Sequence, residues 1–132
     1  LWPNNMLFER IGGDTRLLAI VDWPLATIGN ALLDVAMACA FSLTAEVRRA
    51  NEKELVEFYR REIQQKCAQD GTSFGIDLET THKLYRHCLK WCAVVLATMA
   101  FSQKSVNVPD GKSEEGPISE RLKALLEDLK DW

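Results

Sequence analysis

A Gly12-Gly13-Asp14 turn between two apolar runs most narrows what this chain can fold into. Met6-Leu7-Phe8 leads into the turn and Leu17-Leu18-Ala19-Ile20-Val21 leads out, the pattern of a β-hairpin. With Gly13-Asp14 as a two-residue loop, paired residue numbers sum to 27. Met6 then faces Val21, Leu7 faces Ile20, Phe8 faces Ala19, and Asn5 falls opposite Asp22. Directly paired residues of an antiparallel ladder lie roughly 5 Å apart at Cα. An amide oxygen and a carboxylate therefore meet at the hairpin's open end. Both are hard oxygen ligands of the kind Mg²⁺ takes, an ion that keeps waters and shares phosphate oxygens of a bound partner.

Beyond the hairpin, the spacing of apolar residues is helical. Asn30 is an N-cap for a helix through about Phe41, apolar almost all round and so expected to be central. Asp34 is its odd member: a buried carboxylate needs a backbone N–H cluster or a cation, and near a helix start the dipole also favours an acid. Thr44 caps a second helix that runs to about Gln69 and stops before Asp70-Gly71. Its Val47, Leu55, Phe58, Tyr59 and Ile63 form the expected apolar stripe, and Arg48, Arg49, Glu52 and their charged neighbours a solvated face. Asp77 caps a third helix, from Leu78 to about Ser102, with Leu84, Tyr85, Cys88, Leu89, Cys92, Val95, Leu96 and Met99 at core spacing. A last helix begins at Pro117 and Ser119, its stripe made by Ile118, Leu122, Leu125, Leu126 and Leu129. The chain thus divides into a hairpin and loop (1–29), a helical core (30–102), a mobile polar loop (103–117) and a closing helix (118–132). The fold class is mainly α, one hairpin followed by about four helices.

Composition removes several function classes. With 132 residues, 47% of them hydrophobic, the chain can bury one modest core. A net charge of −3, with no basic cluster interleaved with aromatics, argues against a nucleic-acid surface. The longest largely apolar run, Cys92–Phe101, is too short to span a bilayer. Cys39, Cys67, Cys88 and Cys92 show no paired CxxC spacing, and a zinc site built from Cys88, Cys92, His82 and His87 is disfavoured because His87 and Cys88 point in different directions. Reduced thiols packed in helices fit a cytoplasmic protein.

The motif residues carry a family resemblance as well. Leu-Trp-Pro-Asn-Asn-Met-Leu-Phe, then Leu-Ala-Ile-Val-Asp-Trp, then Gly29-Asn30-Ala31-Leu32-Leu33-Asp34-Val35-Ala36, resembles the C-terminal lobe of the CHK kinase-like group, which holds the ecdysteroid kinase-like proteins and their nematode relatives. That group belongs to the choline kinase and aminoglycoside phosphotransferase superfamily, with a protein-kinase-like fold. The family pattern is His-Gly-Asp, four residues, then Asn. Leu1 to Asn4 stand as the four residues and Asn5 as the closing Asn, so the His-Gly-Asp triplet and its catalytic base are expected just before Leu1. The resemblance implies that Asn5 and Asp22 are Mg²⁺ ligands, that ATP is the co-substrate, and that Asp34 braces the catalytic loop. It implies transfer of the γ-phosphoryl group to a hydroxyl of a small molecule, with an N-lobe as missing partner and no role for nucleic acid or membrane. The matching substrate-binding residues are unknown. By itself this stretch is expected to be catalytically inactive. Pro24 departs from the pattern, since relatives usually carry a polar residue after the Asp-aromatic pair.

A competing expectation is a catalytically inactive helical fragment or pseudokinase that acts through partner binding, with Asn5 a turn residue and Asp22 a strand-end cap. A Ser/His/Asp or Cys/His hydrolase is a poor third choice, because neither His82 nor His87 sits in a nucleophile context.

Overall fold

The computed structural model describes residues 3–23, 28–106 and 117–130. A 3₁₀ turn, Pro3–Asn5, leads into strand β1 (Met6–Ile11), which pairs antiparallel with β2 (Asp14–Ile20). Four helices follow: α1 (Leu32–Ser42), α2 (Ala45–Gln69), α3 (Leu78–Val106) and α4 (Pro117–Asp128). The expected architecture, mainly helical with one hairpin ahead of four helices, is the one observed. One boundary differs from expectation, α3 continuing to Val106; α4 begins at Pro117, as a first-turn proline can. The rest of the expected mobile loop, residues 107–116, lies outside the described residues.

The hairpin loop is not Gly13-Asp14 but Gly12-Gly13, with φ of 61° and 97°. Positive φ at both central positions is the signature of a type I′ turn, which glycine adopts without strain and aspartate does not. Ile11 therefore faces Asp14, and Phe8 faces Leu17. Between Leu7 and Phe8 the register shifts by one, because Leu18 is an extra residue on β2, and Leu7 then faces Ala19 and Met6 faces Ile20. Arg16 bridges to Glu9 across the strands, its Nε donating to Glu9 Oε1 at 2.8 Å.

The helices end where local chemistry stops them. Asn30 Oδ1 accepts from the Leu32 amide at 3.1 Å, and Asn30 Nδ2 donates to Cys88 Sγ at 3.2 Å, so one side chain caps α1 and ties it to α3. Thr44 Oγ1 accepts from the Val47 amide at 3.3 Å. Gly71, at φ 70°, closes α2 in a Schellman motif: the Thr72 amide donates to Cys67 O at 2.8 Å and the Gly71 amide to Ala68 O at 3.2 Å. Asp77 Oδ1 accepts from the Thr80 amide at 2.7 Å at the start of α3.

The core sits among the four helices. Leu32, Ala36, Ala40 and Phe41 of α1 meet Val56 of α2, Tyr85, Leu89, Cys92 and Leu96 of α3, and Leu125 of α4. Helix α1 is central, touching the other three and the 3₁₀ turn. The inward face of α2 differs from expectation. Val47, Leu55 and Phe58 are exposed, whereas Arg48 is only 3% exposed and Val56 is fully buried. Arg48 is tolerated there because its guanidinium is fully engaged: it pairs with Asp128 of α4, and with Glu52 at 3.2 Å. Glu52 in turn accepts from Tyr85 Oη at 3.1 Å. A charged network thus joins α2, α3 and α4, and the buried Cys39 thiol of α1 lies beside Tyr85.

All four cysteines are free thiols. Burial pushes the Cys39 and Cys88 thiols up, and Cys92 up to about 12, so the core thiols are un-ionised at neutral pH. Among the described residues no helix is long and apolar enough to cross a membrane.

Candidate functional site

The corrected register keeps Asn5 and Asp22 together by another route. Asn5 lies beside Val21: the Val21 amide donates to Asn5 O at 2.9 Å, extending the ladder past its last paired strand residues. Asp22 is the next residue, and Asn5 Nδ2 reaches its carbonyl at 3.4 Å. The amide that was expected to face the Asp22 carboxylate is thus bonded to its backbone. Asp22 has φ 62°, the one positive φ of a non-glycine residue among the described residues. The left-handed region is disfavoured for L-residues, least so for Asp and Asn, and such outliers cluster at functional sites. Trp23 folds back, its Nε1 donating to Ile20 O at 3.0 Å.

This corner is open. Asp22 is exposed and Asn5 half-buried, so an ion could keep several waters there. One carboxylate and one side-chain amide fit Mg²⁺ in chemistry, and they supply only a minority of an octahedral shell. Among the described residues, no group of three or more His, Cys, Asp or Glu side chains could hold a metal ion, which also leaves the Cys88–Cys92–His82–His87 combination without a site.

Asp34 is not buried in an apolar helix as its neighbours led one to expect. Helix α1 turns Leu32, Ala36, Cys39 and Ala40 inward, and Asp34 lies on the exposed side. Its carboxylate lies close enough to Tyr59 to add to the upward shift that burial gives that phenol. The packing of α1 on the 3₁₀ turn keeps Asp34's helix beside Asn5's segment. Tyr85 is a core residue at 3% exposure, while Trp91 is half exposed. Pro24 lies outside the described residues.

A cavity of about 540 Å³ opens between α2 and α3, with Lys53, His82, Tyr85 and Arg86 among its walls. Its carboxylates are matched internally, Glu79 to Lys83 at 2.6 Å and Glu52 to Arg48. Neither Asn5 nor Asp22 lines it.

The family model of DUF1679, described as "Uncharacterized oxidoreductase dhs-27", matches residues 1–132. The chain belongs to the DUF1679 family. DUF1679 is related to the CHK kinase-like group, although its printed description names an oxidoreductase and not a kinase. No curated protein and no solved structure was found to match the chain. The DUF1679 match spans the hairpin and all four helices, so the Asn5–Asp22 corner lies within the matched stretch.

Proposed function

We propose that this chain forms the metal-binding part of the C-lobe of an ATP-dependent kinase, which transfers the γ-phosphoryl group to a hydroxyl of a small molecule. The observation that carries this reading is the left-handed backbone of Asp22, held beside Asn5 at the hairpin's open end. Asp and Asn enter that region in ordinary turns as well; here it leaves an exposed Asp22 next to Asn5, where both offer oxygens to an ion. Membership of DUF1679, a family related to the CHK kinase-like group, supports the reading.

In the proposed site, Asn5 Oδ1 and the Asp22 carboxylate hold Mg²⁺ and so orient the ATP phosphates. The ion, when bound, neutralises charge that develops on the phosphoryl oxygens. Catalysis of this kind is mostly positioning, so the chain's part is to keep two ligands at fixed spacing on a ladder. The Val21 amide does this by donating a hydrogen bond to Asn5 O, and α1 packs on the 3₁₀ turn. The resemblance assigns removal of the acceptor's proton to the Asp of a His-Gly-Asp triplet, which is not among residues 1–132. The half-buried Cys67 and the buried core thiols have no part in the scheme.

A specific observation favours a second reading, partner binding without catalysis. Leu7, Phe8, Ile11, Leu17 and Leu18 are 45–59% exposed on a two-stranded sheet, more apolar surface than such a sheet ordinarily leaves uncovered. The deciding experiment is Mg·ATP-dependent phosphoryl transfer to a panel of small alcohols by the full-length protein. NAD(P)H turnover is followed alongside, because the family is described as an oxidoreductase. The kinase reading expects transfer that falls about 100-fold or more in Asp22→Ala. Transfer unchanged by that substitution would remove Asp22 from the site, and nicotinamide turnover without transfer would replace the reading altogether.

A further inference from the structure

We propose that Trp23 is a positioning residue, whose indole N–H clasps the turn that carries Asp22; its relevance to metal binding rests on the site proposed above. Asp22 stands between two fixed points. On one side the Val21 amide is bonded to Asn5 O at 2.9 Å. On the other, Trp23 Nε1 is bonded to Ile20 O at 3.0 Å, a loop from residue 23 back to residue 20 that encloses Val21 and Asp22. Trp23 is 61% exposed, so packing does not explain its place. The hydrogen bond does. An aspartate at φ 62° relaxes toward the extended region unless its neighbours prevent it. Opening the clasp lets Asp22 straighten, and a straightened Asp22 redirects its carboxylate and loosens the contact of its carbonyl with Asn5 Nδ2. Phenylalanine keeps an aromatic ring at the position, smaller than indole, and has no N–H to donate.

The test uses the 132-residue chain and its Trp23→Phe, Trp23→Ala and Asp22→Ala variants, with Mn²⁺ alone as the probe. Two NMR readouts are taken. The first is the intraresidue HN–Hα cross-peak of Asp22, which is strong only when φ is positive. The second is Mn²⁺-induced broadening of amide signals, which detects weak and local binding. The clasp predicts a strong Asp22 cross-peak in the wild type that weakens in Trp23→Phe, while the helix signals stay in place. It further predicts broadening centred on Asn5 and Asp22, which needs about three- to tenfold more Mn²⁺ in Trp23→Phe and is lost in Asp22→Ala. If Trp23→Phe matches the wild type and only Trp23→Ala differs, the side chain acts by bulk and the proposal is overturned. If no variant shows localised broadening but the cross-peak still depends on the indole N–H, the clasp stands and the metal site fails.

Discussion

Asp22 holds a backbone conformation that costs most L-residues about 1–2 kcal/mol, and its neighbours are arranged to keep it there. Strain at a residue with no buried side chain is hard to account for by stability alone. Replacing Asp22 with Gly removes the Cβ that opposes φ 62°, so the hairpin should gain about 0.5–1 kcal/mol of local stability while losing its carboxylate. Slower amide exchange at Val21 in Asp22→Gly would show that gain; faster exchange would mean that the side chain itself holds the turn. At this scale the sequence was partly legible. The juxtaposition of Asn5 and Asp22 could be read from the apolar runs, but its mechanism could not. The choice between Gly12-Gly13 and Gly13-Asp14 moves the register by two, and the bulge at Leu18 takes back one. A bulge leaves no mark in a run as uniformly apolar as Leu17–Val21. The φ of Asp22 had no sequence signal either, although an Asp at a strand end is one of the few non-glycine residues that tolerates it.

At the level of elements, caps and stops were the most legible, because each depends on two or three adjacent residues: Asn30, Thr44, Asp70-Gly71 and Asp77 act as their types dictate. The inward face of α2 was not legible. Helical spacing fits both the expected 47-55-58-59-63 stripe and 48-52-56-59, and hydrophobicity favours the first, of which Tyr59 does pack on the core. The second wins because Asp128, 80 residues away in sequence, meets Arg48. No local rule sees a partner on another helix. Arg48→Ala removes the buried partner of Glu52 and Asp128, leaving Asp128 to Arg49 and Glu52 to Tyr85, and should destabilise the chain by about 1–3 kcal/mol in urea denaturation, with Arg48→Met losing less because its stem still fills the space. A loss below about 0.5 kcal/mol in Arg48→Ala would place that network on the surface. The α3 cap gives a pH dependence. Thr80's amide and hydroxyl hold the Asp77 carboxyl below the usual aspartate range. Its folded-state pKa is therefore the lower one, so the cap's stabilisation is complete above the ordinary aspartate pKa and is lost as pH falls through the lowered value. Between pH 6 and pH 2.5, amide protection in the first turn of α3 should fall in the wild type and fall less in Asp77→Asn, which keeps a capping oxygen without a titrating one. Equal pH profiles for the two would rule the cap out as the source.

On the scale of the whole molecule, the helices share one core, whereas among the described residues the hairpin leaves apolar side chains exposed and its 3₁₀ turn packs against α1. Two-stranded hairpins are marginal by themselves, so the candidate site sits on the least stable element of the chain. That division explains why fold class was easy to read and function was not. A helical core announces itself by periodicity over a hundred residues, whereas the site depends on two side chains and one backbone angle. The central claim is that the Asn5–Asp22 corner binds a divalent cation. Its most direct test is residue-resolved Mn²⁺ titration of the wild-type chain, with Mg²⁺ as competitor. The proposed site predicts broadening that begins at Asn5 and residues 21–23, is reversed by Mg²⁺, and disappears in Asp22→Ala. Broadening spread over the surface carboxylates of α2 and α4, and unchanged in Asp22→Ala, would contradict it.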